Sequence, residues 1–192
     1  MSESMVPEPA ARLAGAVGGV VVVAVAAGEE GQASMEIDCT GTTPLITVSG
    51  DLAAVPARLY GVAAHEAAHC VLGHTDRRRR WWRLAAAGAA WAGVGAGSAA
   101  LVTGASMLPA VAAAVVSVTC LLIGAALGRR AEYAADAHAV RLLEAAGVPG
   151  RQAVAAALAA IPAESAWYRA GGWLVDGHPL RAARLRRIAG GA

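Results

Sequence analysis

The sequence predicts a mainly α fold with a small antiparallel or mixed β-sheet, an α+β class, joined to a two-helix transmembrane hairpin. Three observations predict it. Val62–His74 reads as a helix carrying His65-Glu66-Ala67-Ala68-His69, two histidines at helical spacing. Leu84–Gly104 and Ser106–Gly128 are uncharged runs of 21 and 23 residues, each long enough to cross a bilayer. Upstream of Pro56, short apolar runs rich in β-branched residues alternate with turn residues, the pattern of strands.

The composition agrees with a membrane portion. A chain of 192 residues has room for one domain, or one domain with a small insert. Its hydrophobic fraction of 57% and mean hydropathy of +0.50 exceed the usual globular range. A net charge of +2 makes no case for a nucleic-acid partner. The dense basic run, Arg77–Arg80 with Arg83, borders an apolar stretch and is better explained by membrane topology. Cys39, Cys70 and Cys120 contain no CxxC pair and are expected to be reduced structural thiols. The first ten residues hold Glu3 and Glu8 and no basic residue, so no signal peptide is expected and the N-terminus is placed in the cytoplasm.

Taken in order, residues 1–10 read as a disordered N-terminus. Residues 11–83 read as the strands and the histidine helix, with a short helix possible over Ala11–Val17. Leu13–Gly28 is free of charge, but it is short for a span and its valine run suits a strand, Val20–Val25. Glu29-Glu30-Gly31 makes a turn, and Ser34–Thr40 and Pro44–Val48 are two further strands. Asp51 is placed to cap a short helical turn through Ala54. Pro56 suits the first position of the main helix, which is expected to end near Gly73. Residues 84–128 read as the hairpin, with Gly104-Ala105-Ser106 as its turn and Trp81 and Trp82 in an interfacial belt. Arg clusters flank its outer ends and none lies at the turn, which places both ends on the cytoplasmic side. Residues 129–192 read as the second half of the soluble part. They contain a helix from Ala131 through Leu143, another over Arg151–Ile161, a short one near Glu164–Tyr168 and a basic one over Pro179–Ile188.

The chemistry starts from His65 and His69. One helical turn apart, both imidazoles can reach one ion, and Glu66 is placed to hold a water beside it. A catalytic zinc wants a third protein ligand. The extended pattern H-E-x-x-H-x-x-G-x-x-H requires Gly at 72 and His at 75, where this chain has Leu72 and Thr75; His74 is one residue off and projects from a different face. A glutamate from a later helix is the other common solution. Glu132 and Asp136 lie four apart on one face beyond the hairpin, so one can bind metal while the other supports a ligand histidine.

H-E-x-x-H, a membrane hairpin, Glu132-Tyr133-Ala134-Ala135-Asp136 and a late His178-Pro179 with Arg184 six residues on form an ordered set. This set resembles the HtpX-like and CAAX prenyl protease family of membrane zinc metallopeptidases over roughly residues 18–190. The resemblance implies a zincin-like peptidase with one zinc per chain, bound by His65, His69 and Glu132, and Glu66 as general base. It also implies that Asp136 orients a ligand histidine, that His178 and Arg184 lie near the site, and that the edge of the small sheet pairs with substrate. This chain has HEAAH where HELGH is usual, lacks the N-terminal membrane helices of HtpX-like members, and is short for a substrate-covering domain.

The activity so implied is zinc-dependent endoproteolysis at the cytoplasmic face of the cell membrane, in a multi-pass protein acting on membrane or misfolded polypeptides. Glu66 would take the proton of the attacking water and His178 would donate a hydrogen bond to the oxyanion. Two rivals stand beside it. One is an intramembrane protease whose third ligand is Asp176 of Leu174-Val175-Asp176-Gly177. The other is a catalytically silent adaptor or sensor with the same fold.

Overall fold

The structure is a computed structural model. It describes residues 22–26, 33–37, 44–49, 54–74 and 76–190, with side chains described from Ala54 to His74 and from Trp81 to Gly190 except Arg83. The expectations for residues 1–10, for Ala11–Val17 and for the cap at Asp51 lie outside the described residues.

The expected α+β class is corrected. The residues that carry the site are about 80% helical and contain no strand and no sheet. The reason lies in composition: Ala-rich segments lose almost no side-chain freedom in a helix, and the turn signals between them are few. Strand backbone is confined to three short segments before Ala54, β1 (Val22–Ala26), β2 (Ala33–Ile37) and β3 (Pro44–Ser49). Here β3 lies between β1, its parallel neighbour, and β2, its antiparallel one.

The helices are α1 (Pro56–Val71), α2 (Asp76–Thr103), α3 (Leu108–Ala145), α4 (Gly150–Ala160), α5 (Ala166–Ala170) and α6 (Arg181–Ala189), with a 3₁₀ turn at Gly172–Leu174. Pro56 opens α1, where its missing N–H costs nothing, and Val55 before it is extended as a pre-proline residue must be. The sequence suggests a break between the apolar run ending at Gly128 and a helix from Ala131, but α3 runs unbroken through Arg129-Arg130. Two arginines end an apolar stretch without ending a helix, because Arg is a good helix former.

The chain divides into two compact units. The first comprises Met1–His74, Ala131–Ser165 and Leu180–Ala192. Its core joins Leu59, Ala63, Ala64, Ala67 and Ala68 of α1 to Ala135, Ala139 and Leu143 of α3 and Ala153, Val154 and Leu158 of α4. So many alanines let the backbones come close: a Cβ on Gly61 would lie 2.2 Å from the Ala153 carbonyl oxygen. The α1 helix also packs against β3. At the other end, Arg181 anchors α6, its N–H donating to Glu164 Oε1 at 2.5 Å and its Nη1 to the Ile161 carbonyl at 2.7 Å.

The second unit comprises Thr75–Arg130 and Ala166–Pro179. Its helices pack through small residues, Gly93 against Ala113 and Gly97 against Ala110, and Ser117 Oγ donates to the Ala86 carbonyl at 2.9 Å. Much of the apolar surface faces outward: Leu101 is 80% exposed and Val102 87%. Among the described residues, two helices, Leu84–Thr103 and Leu108–Ala145, are long and apolar enough to cross a membrane by length and composition. Arg129 Nη1 donates to the carbonyls of Trp173 (2.9 Å), Leu174 (3.2 Å) and Asp176 (3.0 Å), while the guanidinium lies over the Trp173 ring.

Candidate metal centre

Two helices supply the donors and a third supplies their support. On α1, His65 and His69 project from one face with Nε2 atoms 3.2 Å apart. On α3, beyond its apolar part, Glu132 turns its carboxylate onto both: Oε2 is 3.3 Å from His65 Nε2, and Oε1 is 3.6 Å from His69 Nε2. Glu132 and His69 are buried, and His65 is nearly so. Among the described residues these three form the group of metal-binding side chains that the structure assembles.

The triangle fits a zinc ion. Tetrahedral coordination with bonds of about 2.0–2.1 Å sets ligand–ligand separations of about 3.3–3.4 Å. His65 Nε2 lies at that spacing from both His69 Nε2 (3.2 Å) and Glu132 Oε2 (3.3 Å), and one donor atom from each of the three residues lies within 4.8 Å of the other two. Two imidazoles and one carboxylate are also a recognised catalytic zinc donor set, which leaves a fourth position open.

Behind the donors lies a buried ion pair. Arg184, from α6, grips Asp136 with a planar fork, Nε to Oδ2 at 2.8 Å and Nη2 to Oδ1 at 2.6 Å. The same Oδ1 is 3.0 Å from His65 Nδ1, so Asp136 holds the far edge of that imidazole. Arg184 Nη1 also lies 3.3 Å from Glu132 Oε2. One turn along each helix, the Arg187 guanidinium lies over the Tyr133 ring.

These contacts set the electrostatics. Burial alone would lower the His65 pKa, but the carboxylates of Asp136 and Glu132 outweigh it and raise the value to about 9. Burial alone would raise Glu132, but hydrogen bonds from His65 and His69 hold its carboxyl well below the usual range. Asp136 behaves likewise: burial would push it up, and Arg184 and His65 pull it down. A metal ion would have to displace the proton that these carboxylates hold on His65. Glu66 differs, because burial pushes its carboxyl up despite the opposing pull of His65 and His69. A raised carboxyl beside a metal group suits a residue that must both accept and release a proton.

The model of peptidase family M48 matches residues 41–191. The chain belongs to that family. M48 enzymes are zinc metallopeptidases, so this member is a metallopeptidase, consistent with the HtpX-like and CAAX protease type. No curated protein and no solved structure matches the chain.

Of the expected site residues, His65, Glu66, His69, Glu132, Asp136 and Arg184 all belong to the first unit of this M48 chain. His178 belongs to the second, where its Nδ1 pairs with Asp176 Oδ1 at 3.2 Å and its carbonyl accepts from Tyr168 Oη at 2.7 Å. Asp176, the alternative third ligand, is therefore engaged with His178 and is not among the grouped metal donors. The sequence sets His74 aside as projecting from a different face, but the fold-back at Gly73 brings it against His69. His74 does not reach the donor group, yet its Nδ1 lies 3.3 Å from Nδ1 of His69. The signal was Gly73 beside it, read as a helix stop and nothing more.

Proposed function

We propose that this M48 member is a membrane-anchored zinc endopeptidase that cleaves membrane or misfolded polypeptides at the cytoplasmic face. The observation that carries the reading is the convergence of His65, His69 and Glu132, whose donor atoms all lie within 4.8 Å of one another. Zinc held there supplies Lewis acidity and lowers the pKa of water towards about 7. Glu66 accepts the proton of the attacking water and passes it to the leaving amine, a task its raised pKa favours. Asp136, fastened by Arg184, keeps His65 in the tautomer that turns Nε2 towards Glu132.

Two features support the membrane part of the reading. The hairpin helices expose aliphatic side chains along their length, and arginines cluster at their outer ends. The closing experiment uses the full chain expressed in membranes, with bound zinc and casein hydrolysis measured together. Glu66→Gln is expected to keep zinc and lose roughly 10²–10⁴-fold in turnover, the usual contribution of a general base. Glu132→Ala is expected to lose the zinc. Full occupancy in Glu132→Ala with loss in Asp176→Ala would move the third ligand to Asp176. Zinc binding by a wild-type chain that cleaves nothing would favour an adaptor.

A further inference from the structure

The C-terminus of α1 is built in a way that bears directly on His69. Gly73 sits in the left-handed region, φ +63°, and the chain folds back over the last helical turn. The Gly73 N–H donates to the Cys70 carbonyl at 3.0 Å, and the His74 N–H donates to the His69 carbonyl at 2.9 Å. Counted from the cap at Leu72, these are the two bonds of a Schellman motif. That motif brings the second residue past the cap against the third residue before it, ordinarily as a contact between two apolar side chains. Here the two residues are His74 and His69. Their ring centroids lie 5.2 Å apart at 65°, with the Nδ1 atoms 3.3 Å apart.

The orientation is informative. His69 turns Nε2 towards His65 and Glu132, so the edge that meets His74 is the opposite one. An imidazole that gives one nitrogen's lone pair to a metal carries its proton on the other, and that N–H needs an acceptor to hold the ring. His65 has such an acceptor in Asp136, at 3.0 Å. We propose that His74 is the corresponding positioning residue for His69, its Nδ1 accepting the Nδ1 proton of His69 and so presenting Nε2 to the metal. The proposal rests on the zinc reading above and adds a residue to it. The two ligands on one helix are then held by different devices. A buried carboxylate from α3 holds His65, and the cap of α1 itself holds His69. His74 does this without adding a negative charge, and because it lies on the far edge of His69 it is not itself a ligand.

The test separates hydrogen bonding from packing. Asn places Oδ1 where His places Nδ1, so His74→Asn keeps an acceptor. His74→Leu keeps an apolar cap contact and removes the acceptor, and His74→Ala is a second acceptor-free variant. Zinc affinity of the full-length chain in detergent is read by competition with a chromophoric chelator, alongside the Tm of each metal-free form. His74→Leu and His74→Ala are expected to bind zinc roughly 10–100-fold more weakly, as losses of this kind of support do. His74→Asn is expected to stay near the wild-type value, with the metal-free Tm of His74→Leu unchanged. Wild-type affinity in His74→Leu, or an equal loss in His74→Asn and His74→Leu, would overturn the proposal and leave the zinc site standing. A wild-type chain that takes up no zinc would remove the metal reading itself.

Discussion

At the scale of residues, the site depends on the buried pair of Asp136 and Arg184. Asp136 accepts from both Arg184 and His65, so removing the guanidinium leaves a buried carboxylate short of partners. Arg184→Ala is expected to destabilise the metal-free protein by roughly 3–5 kcal/mol, the usual cost of breaking a buried pair from one side. Arg184→Lys restores the charge and not the fork, so it should recover only part of that loss. Denaturant unfolding measures both; a loss in Arg184→Ala no larger than about 1 kcal/mol, typical of a surface pair, would show the contact to be incidental. His65 adds a pH dependence. Its folded pKa, about 9, exceeds the ordinary 6.5, so its contribution to metal-free stability is complete below 6.5 and is lost as pH rises through about 9. The Tm of the chelated protein should therefore fall over that window relative to its His65→Gln variant. Parallel curves for the two would refute the assignment. His65, Glu66 and His69 were legible in the sequence because one helix fixes their spacing. The Arg184–Asp136–His65 chain was legible only as a resemblance, because its members are separated by as many as 119 positions.

At the scale of elements, α1 is positioned by what it lacks. The contact between Gly61 and Ala153 leaves no space for a methyl group, so Gly61→Ala must push α1 and α4 apart or bend one of them. Overpacking of this kind costs about 1–3 kcal/mol. The expected result is a lower Tm in the metal-free protein and, since His65 and His69 ride on α1, weaker zinc binding; an unchanged Tm would mean that the helices have slack the structure does not show. Sequence patterning found these helices to within about two residues at most ends, because Pro56, Gly73 and Gly147-Val148-Pro149-Gly150 are strong boundary signals. It misplaced a break at Arg129-Arg130, where hydrophobicity changes and helical geometry does not. The continuity matters, since one helix carries both the apolar stretch and Glu132.

At the scale of the whole molecule, the exposed apolar helices call for a partner, and on the proposed function a bilayer would supply one. With the native cysteines replaced, Val115→Cys is expected to resist a membrane-impermeant maleimide in intact membranes and to react once detergent is added. Full labelling without detergent would instead favour a soluble bundle. The sequence on its own pointed to a metallopeptidase, because H-E-x-x-H is a local pattern whose two histidines a helix brings to one face by geometry alone. It also determined the hairpin, because a run of more than twenty uncharged residues is a statement about length. It did not determine the class. The strand signals before Pro56 invited an α+β description, whereas the part of the chain that builds the site is helical throughout. Nor did it show what holds each ligand. Which atom stands behind His65 and which behind His69 is settled by the packing of α6 on α3 and by the fold-back at Gly73, contacts that follow from tertiary structure and from a cap's backbone geometry rather than from residue spacing.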